Sequence, residues 1–171
     1  AAWRSALALM SWPQCWRIHV DVMSWNAAIS ACGKGNQWQW SMLILNRMLS
    51  ARVEPTVVSL NAAMSACEKG GQWRFAILLL DNALAAHENK CSMRLADKIT
   101  FNVAISACEK GARWEGALCL LVQMQELIYR PDLLSCSGAL SACGRVGRWA
   151  HALSILRDMM EARLPIDTIV C

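Results

Sequence analysis

The sequence lacks most of the features that would place it in a familiar chemical class. Its longest stretch without a charged residue is the 13 residues from Pro55 to Cys67. A membrane-spanning helix needs about 20 apolar residues, so no membrane partner is expected. There are only three histidines. His19 and His151 stand alone, and His87 has Glu88 beside it but no other acid or base, so that pair reads as part of a solvated loop. None of the nine cysteines forms a Cys-x-x-Cys pair, which removes the zinc-finger spacings. A Gly-x-x-x-x-Gly-Lys-Ser/Thr phosphate loop is missing. So are the His-x-Glu and Pro-Cys-x-x-Cys signature of zinc deaminases and the clustered aspartates of a metal-dependent nuclease. No catalytic module, cofactor, metal or small-molecule substrate is expected. Alternation of apolar and polar residues, the mark of half-buried strands, is absent as well.

Apolar mass is abundant. The chain has 171 residues, of which 56% are hydrophobic and 18% charged. Disorder needs the opposite balance. A chain of this length builds a core without disulfides, so its thiols read as reduced, as in an intracellular compartment. The net charge of +4 permits a polyanionic partner without demanding one.

A repeat organises the whole chain. Four segments align on Trp and Cys: SWNAAISACGKGNQW (24–38), SLNAAMSACEKGGQW (59–73), TFNVAISACEKGARW (100–114) and SCSGALSACGRVGRW (135–149). The cysteines Cys32, Cys67, Cys108 and Cys143 are spaced 35, 41 and 35 residues apart, as are Trp38, Trp73, Trp114 and Trp149. Self-similarity at this period signals stacked supersecondary units rather than one globular core. Each unit reads as two helices. The first is rich in Ala, Ser and Ile and ends at a Gly-containing turn. The second opens at the repeated Trp and shows apolar residues at helical spacing, such as Met42, Leu45, Met48 and Leu49. Pro55-Thr56, Pro131-Asp132 and Pro165-Ile166-Asp167 stop the second helix, and Thr or Asp can cap the next one. The predicted fold is all-α: a superhelical solenoid of four full helix-turn-helix units, 22–56, 57–97, 98–132 and 133–167. A leading half unit occupies 1–21, shortened or kinked at Trp12-Pro13, and 168–171 begins another. The extra residues of the second unit are placed in a loop over 87–97. Neither end carries a polar capping helix, so the chain reads as a piece of a longer array.

The period of 35, the phrase S-x-N-x-x-I-S-A-C-x-K-G and the Pro-Asp endings identify a resemblance to pentatricopeptide-repeat proteins. It covers essentially the whole chain, and the Trp-rich, Cys-containing variant resembles the repeat sets of algal, particularly dinoflagellate, genomes. Ser137 in place of Asn, Val146 in place of a turn Gly and the long second unit depart from the pattern. The resemblance implies binding of single-stranded RNA at about one base per repeat, in RNA processing, stabilisation or translation in a chloroplast or mitochondrion. It further implies that bases are read by the fifth residue of each unit, Asn26, Asn61, Asn102 and Ser137, together with the last, Thr56, Asp97, Asp132 and Asp167. An Asn amide offers a donor and an acceptor to a base edge, and an ionised Asp offers acceptors only. By the same resemblance the second residues, Met23, Val58, Ile99 and Leu134, pack on base faces.

Two readings stand for the cations Lys34, Lys69, Lys110 and Arg145, one per unit at the end of the first helix. They track an RNA backbone, or they complement the helix dipole. The repeated cysteines lie one per unit, about 10 Å apart in stacked helices, too far to share an ion, and read as buried small hydrophobes. The tryptophans, including Trp73 and Trp114, read as core packing rather than base stacking. A protein-binding scaffold of the tetratricopeptide kind, with other proteins as partners, is the alternative function. A third is the RNA-targeting arm of an enzyme whose catalytic domain lies elsewhere.

Overall fold

The computed structural model describes residues 21–89, 96–127 and 129–161. These form eight α-helices and no strand: α1 (Val22–Lys34), α2 (Trp38–Ser50), α3 (Val57–Lys69), α4 (Trp73–Asn89), α5 (Lys98–Lys110), α6 (Trp114–Glu126), α7 (Leu133–Arg145) and α8 (Trp149–Glu161). The architecture is an α-solenoid. Each odd-numbered helix packs on the next odd-numbered helix, and each even-numbered helix packs on its own hairpin partner and, where a further unit is described, on the odd-numbered helix that follows.

Spacing explains this layering. Leu60, Ala63, Met64 and Cys67 are buried at i, i+3, i+4 and i+7 of α3, one stripe of a 3.6-residue helix. Trp25, Ala28, Ile29 and Cys32 repeat the stripe in α1, Phe101, Ala104, Ile105 and Cys108 in α5, and Cys136, Ala139, Leu140 and Cys143 in α7. Small residues allow the close approach: a Cβ on Gly33 would sit 3.3 Å from that of Ala66. The four repeated cysteines are free and fully buried, and burial pushes the Cys67 and Cys108 thiols up to about 11. Among the described residues no group of three His, Cys, Asp or Glu could hold a metal ion.

The turn glycines Gly35, Gly70 and Gly111 cap the ends of α1, α3 and α5 as expected, and two of them do more. Gly70 and Gly111 have φ of −78° and −82°, open to any residue. The left-handed position is the next one, held by Asn36, Gly71, Ala112 and Gly147. What Gly70 and Gly111 supply is room. A Cβ on Gly70 would lie 2.5 Å from the Trp38 ring, and one on Gly111 would lie 2.4 Å from the Trp73 ring. The Trp of one unit is therefore roofed by the turn of the next. Phe75 adds a ring contact to Trp38 at 5.2 Å, and Arg113 lies 4.8 Å from the Trp73 ring centre. Trp114 meets His151 and Arg148 instead. Trp73 and Trp114 are half-buried rather than deep in the core, because they sit at the rim between units. Trp149 is exposed.

The second unit also departs from expectation. Its α4 has 17 residues where the other helices have 13, so residues up to Asn89 are helical rather than loop. This unit has no proline, but Pro55 and Pro131 lie five residues past Ser50 and Glu126, the last residues of α2 and α6, so proline is not what ends those helices. Residues 90–95 lie outside the described residues. So do 1–20, with the expected half unit and its Trp12-Pro13 kink, and 162–171, with Asp167.

A reciprocal cap starts the first helices. Asp97 Oδ1 accepts from the Thr100 amide at 2.8 Å, and Thr100 Oγ1 accepts from the Asp97 amide at 3.0 Å. Asp132 with Ser135 and Thr56 with Ser59 repeat the arrangement, and Asp21 accepts from the Ser24 amide. This is a capping box with a hydroxyl in place of the usual Glu or Gln, and Ser59, Thr100 and Ser135 are completely buried within it. Burial pushes the Asp97 and Asp132 carboxyls up, but the hydrogen bonds from Thr100 and Asn61, and from Ser135, Lys98 and Asn102, outweigh it and leave both lowered.

Two outcomes follow from these contacts. Gly111→Ala should destabilise the chain by about 1–3 kcal/mol, read from urea unfolding. Combining it with Trp73→Ala should cost less than the sum of the two single changes, because each mutation removes the other's clash or contact. The lowered carboxyls should stabilise the fold above the ordinary aspartate range near pH 4, a contribution lost as pH falls through their lower folded values. Unfolding midpoints measured against pH should drop on the acid side. Asp97→Asn/Asp132→Asn should flatten that drop, since Asn caps a helix about as well as Asp.

Candidate nucleic-acid interface

The odd-numbered helices carry a row of equivalent side chains on one face. Asn61 lies in α3, one turn past its cap, and Asp97 caps α5. The stack brings them together: Asn61 Nδ2 donates to Asp97 Oδ1 at 3.3 Å. Asn102 Nδ2 likewise donates to Asp132 Oδ1 at 3.5 Å and Oδ2 at 3.3 Å. A carboxylate only accepts, so it must draw the NH2 end of each amide. That leaves Asn61 Oδ1 and Asn102 Oδ1 buried and without a partner among the described residues. A buried acceptor with no donor is costly.

The other two pairs differ. Asn26 Oδ1 accepts from Ser59 Oγ at 2.5 Å, and Ser59 Oγ lies 3.1 Å from Thr56 Oγ1, so Asn26 and Thr56 are linked through the Ser59 hydroxyl rather than directly. Ser137 Oγ donates to the Leu134 carbonyl of its own helix. Its expected partner, Asp167, lies outside the described residues.

Beside these pairs the surface is apolar. Met23, Val58, Ile99 and Leu134 are between 59% and 77% exposed. Among the described residues they are the only large apolar side chains that odd-numbered helices leave exposed. Core packing cannot explain an exposed apolar residue repeated once per helix. A groove of about 960 Å³ runs along α5 and α7, lined among others by Ile99, Asn102, Ser106, Leu134 and Arg145.

The cations form a less uniform row. Lys34, Lys69, Lys110 and Arg145 each end an odd-numbered helix. Lys110 Nζ meets Glu68 Oε1 at 2.8 Å, and Arg145 meets Glu109 Oε1 at 3.9 Å. Ser106 and Ser141 donate to the same two carboxylates, each at 2.8 Å. Glu68 and Glu109 belong to the preceding unit in each case. The first unit has Gly33 at that place, so Lys69 meets no carboxylate among the described residues. Sequence reasoning missed these glutamates and serines. The runs Cys67-Glu68-Lys69 and Cys108-Glu109-Lys110 hold a signal, but the bonded partners are some 40 residues apart (Glu68 with Lys110) and meet only through stacking. It also missed Lys98, whose Nζ lies 3.0 Å from Asp132 Oδ2.

Known proteins share this architecture. The chain superposes on the maize pentatricopeptide repeat protein PPR10 with a TM-score of 0.75 and 20% identity, covering 98% of this chain and 23% of that one. The structure of PPR10 in complex with an 18-nt psaJ RNA element gives 0.75 and 15%, covering 99% and 23%. The nuclear proteinaceous RNase P 2 of A. thaliana gives 0.78 and 14%, covering 93% and 35%. The chain thus spans about a quarter to a third of these proteins, and the likeness is one of fold. No curated protein matches the sequence. The pentatricopeptide repeat domain profile matches residues 16–69, and the PPR repeat profile matches 99–127 and 135–164. Together they take in more than half of the residues and agree with the helical hairpins, so the chain belongs to the pentatricopeptide-repeat family.

Proposed function

We propose that this chain binds single-stranded RNA along the face of its odd-numbered helices, each of the units 22–56, 57–97, 98–132 and 133–167 taking about one base. The observation that carries this reading is the pairing of Asn61 with Asp97 and of Asn102 with Asp132. Each pair stands beside exposed Val58, Ile99 and Leu134. Apolar side chains offer flat packing to any base, and the polar pair chooses among them. PPR10, which shares the fold, is held with an 18-nt RNA element in one of its structures.

The assignment of bases rests on the family resemblance together with donors and acceptors. A carboxylate accepts from an N–H, which uracil N3 and guanine N1 present and cytosine N3 does not. By the resemblance, Asn61 with Asp97 and Asn102 with Asp132 favour uracil. Ser137 with Asp167 leaves room for guanine, and Asn26 with Thr56 tolerates either pyrimidine. Read in the family's parallel sense, the four units select pyrimidine-U-U-G from 5′ to 3′. Lys34 and Lys69 are the cations free to meet phosphate, while Lys110 and Arg145 must first leave Glu68 and Glu109. The action is sequestration or presentation of RNA rather than catalysis, in processing, stabilisation or translation within a chloroplast or mitochondrion.

Four bases at about 1–3 kcal/mol of stacking each barely offset the cost of ordering a strand, so binding by four units should be weak. The test embeds them between neutral repeats and measures base preference on an oligonucleotide array. Asp132→Asn should move the third position from uracil towards cytosine, because an amide can turn its NH2 to cytosine N3. An unchanged preference at undiminished affinity would show that Asn102 and Asp132 are not readers. Binding to peptides with no RNA binding at all would favour a protein scaffold instead.

A further inference from the structure

The two Asn–Asp sites contain the same residue types but not the same charge. Around Asp97, the Asn61 amide and the Thr100 amide and hydroxyl all bond Oδ1. Oδ2 has no side-chain partner among the described residues. Around Asp132, Ser135 takes Oδ1, while Lys98 Nζ sits 3.0 Å from Oδ2, the oxygen that also takes an Asn102 N–H at 3.3 Å. Lys98 is the first residue of its unit, and the second unit has Val57 there. The Lys98 side chain is 44% exposed, so its ammonium stands at the opening of the site, next to exposed Ile99.

We propose that Lys98 is a specificity-determining residue that relaxes the third base site. This rests on the base-reading proposal above. A uracil N3–H must reach the carboxylate, and the ammonium competes for the same oxygen. The ammonium is itself a donor, so it offers cytosine N3 or O2 the hydrogen bond that a carboxylate cannot give. Both effects lower the difference between uracil and cytosine, and specificity is that difference. The second site, with Val57 in place of Lys98, keeps an unopposed carboxylate oxygen and discriminates more sharply. Two sites that a residue-pair code would treat as identical are unequal.

The experiment uses the 171-residue chain and fluorescence anisotropy at low salt. Three labelled oligonucleotides differ only in their core: UUUG, UCUG and UUCG. The parent chain should discriminate uracil from cytosine more strongly at the second core base than at the third. Lys98→Val should raise the uracil-to-cytosine affinity ratio at the third base by about two- to fivefold, the size of one exposed ion pair, and leave the second unchanged. Val57→Lys should lower the ratio at the second base, and Lys98→Arg should keep the parent ratios. If Lys98→Val instead weakens all three oligonucleotides equally, Lys98 is a general attractor of phosphate and the proposal fails. Asp97→Asn separates this from the underlying reading. A shift towards cytosine at the second base, with no effect of Lys98→Val at the third, overturns the role of Lys98 alone. No shift with Asp97→Asn overturns base reading by the Asn–Asp pair, and the role of Lys98 with it.

Discussion

The reciprocal cap at the start of α3, α5 and α7 is the interaction on which the rest depends. One Asp carboxylate ends a unit, starts the next helix and stands beside the Asn of the unit it closes. Its backbone amide is held by the buried Thr100 or Ser135 hydroxyl, and its own oxygen holds the amide of the same residue. That closed pair of bonds sets the carboxylate's position to within a side-chain rotamer. A loop residue without such bonds would present the same charge with far less geometric definition. The cap and the candidate reader are one group, so the fold cannot move one without the other. Thr56 caps in the same way but lacks the charge, and Asn26 accordingly turns to Ser59.

Register between units comes from a second contact. Trp38 and Trp73 each press on a glycine of the next turn, where a methyl group would not fit. The contact is local, between neighbours only, as expected of a stack whose stability is a sum of units and interfaces. It places consecutive first helices at a repeated offset, and with them the row from Met23 to Leu134. Exposed apolar side chains in such a row are a cost to an isolated protein, and a stacked base is a ligand shape that removes it.

The charges are arranged with restraint. Glu68 and Glu109 pair with two of the four ladder cations, and Lys98 occupies one carboxylate oxygen of the third pair. A chain of net charge +4 arranged in this way keeps its non-specific attraction to polyanions modest.

Much of this was legible in the sequence. The all-helical stack, the hairpin unit and the buried cysteines follow from a 35-residue period and a 3.6-residue apolar stripe, both local properties of the chain. The capping role of Asp and Thr after proline was legible for the same reason, although the hydroxyl three residues later went unread. The depth of Trp73 and Trp114, the true task of Gly70 and Gly111 and the helical end of α4 were not. The first two depend on what the neighbouring unit places there, and the prolines expected to stop the second helices lie five residues beyond the ends of α2 and α6. Which residue types recur, and at what interval, is readable along the chain, because periodicity is written in one dimension. Which of them meet is settled by stacking. It set Glu68 against Lys110, Asn102 against Asp132, and Lys98 against the same carboxylate, since stacking at a unit's offset brings together side chains about 30 to 42 residues apart.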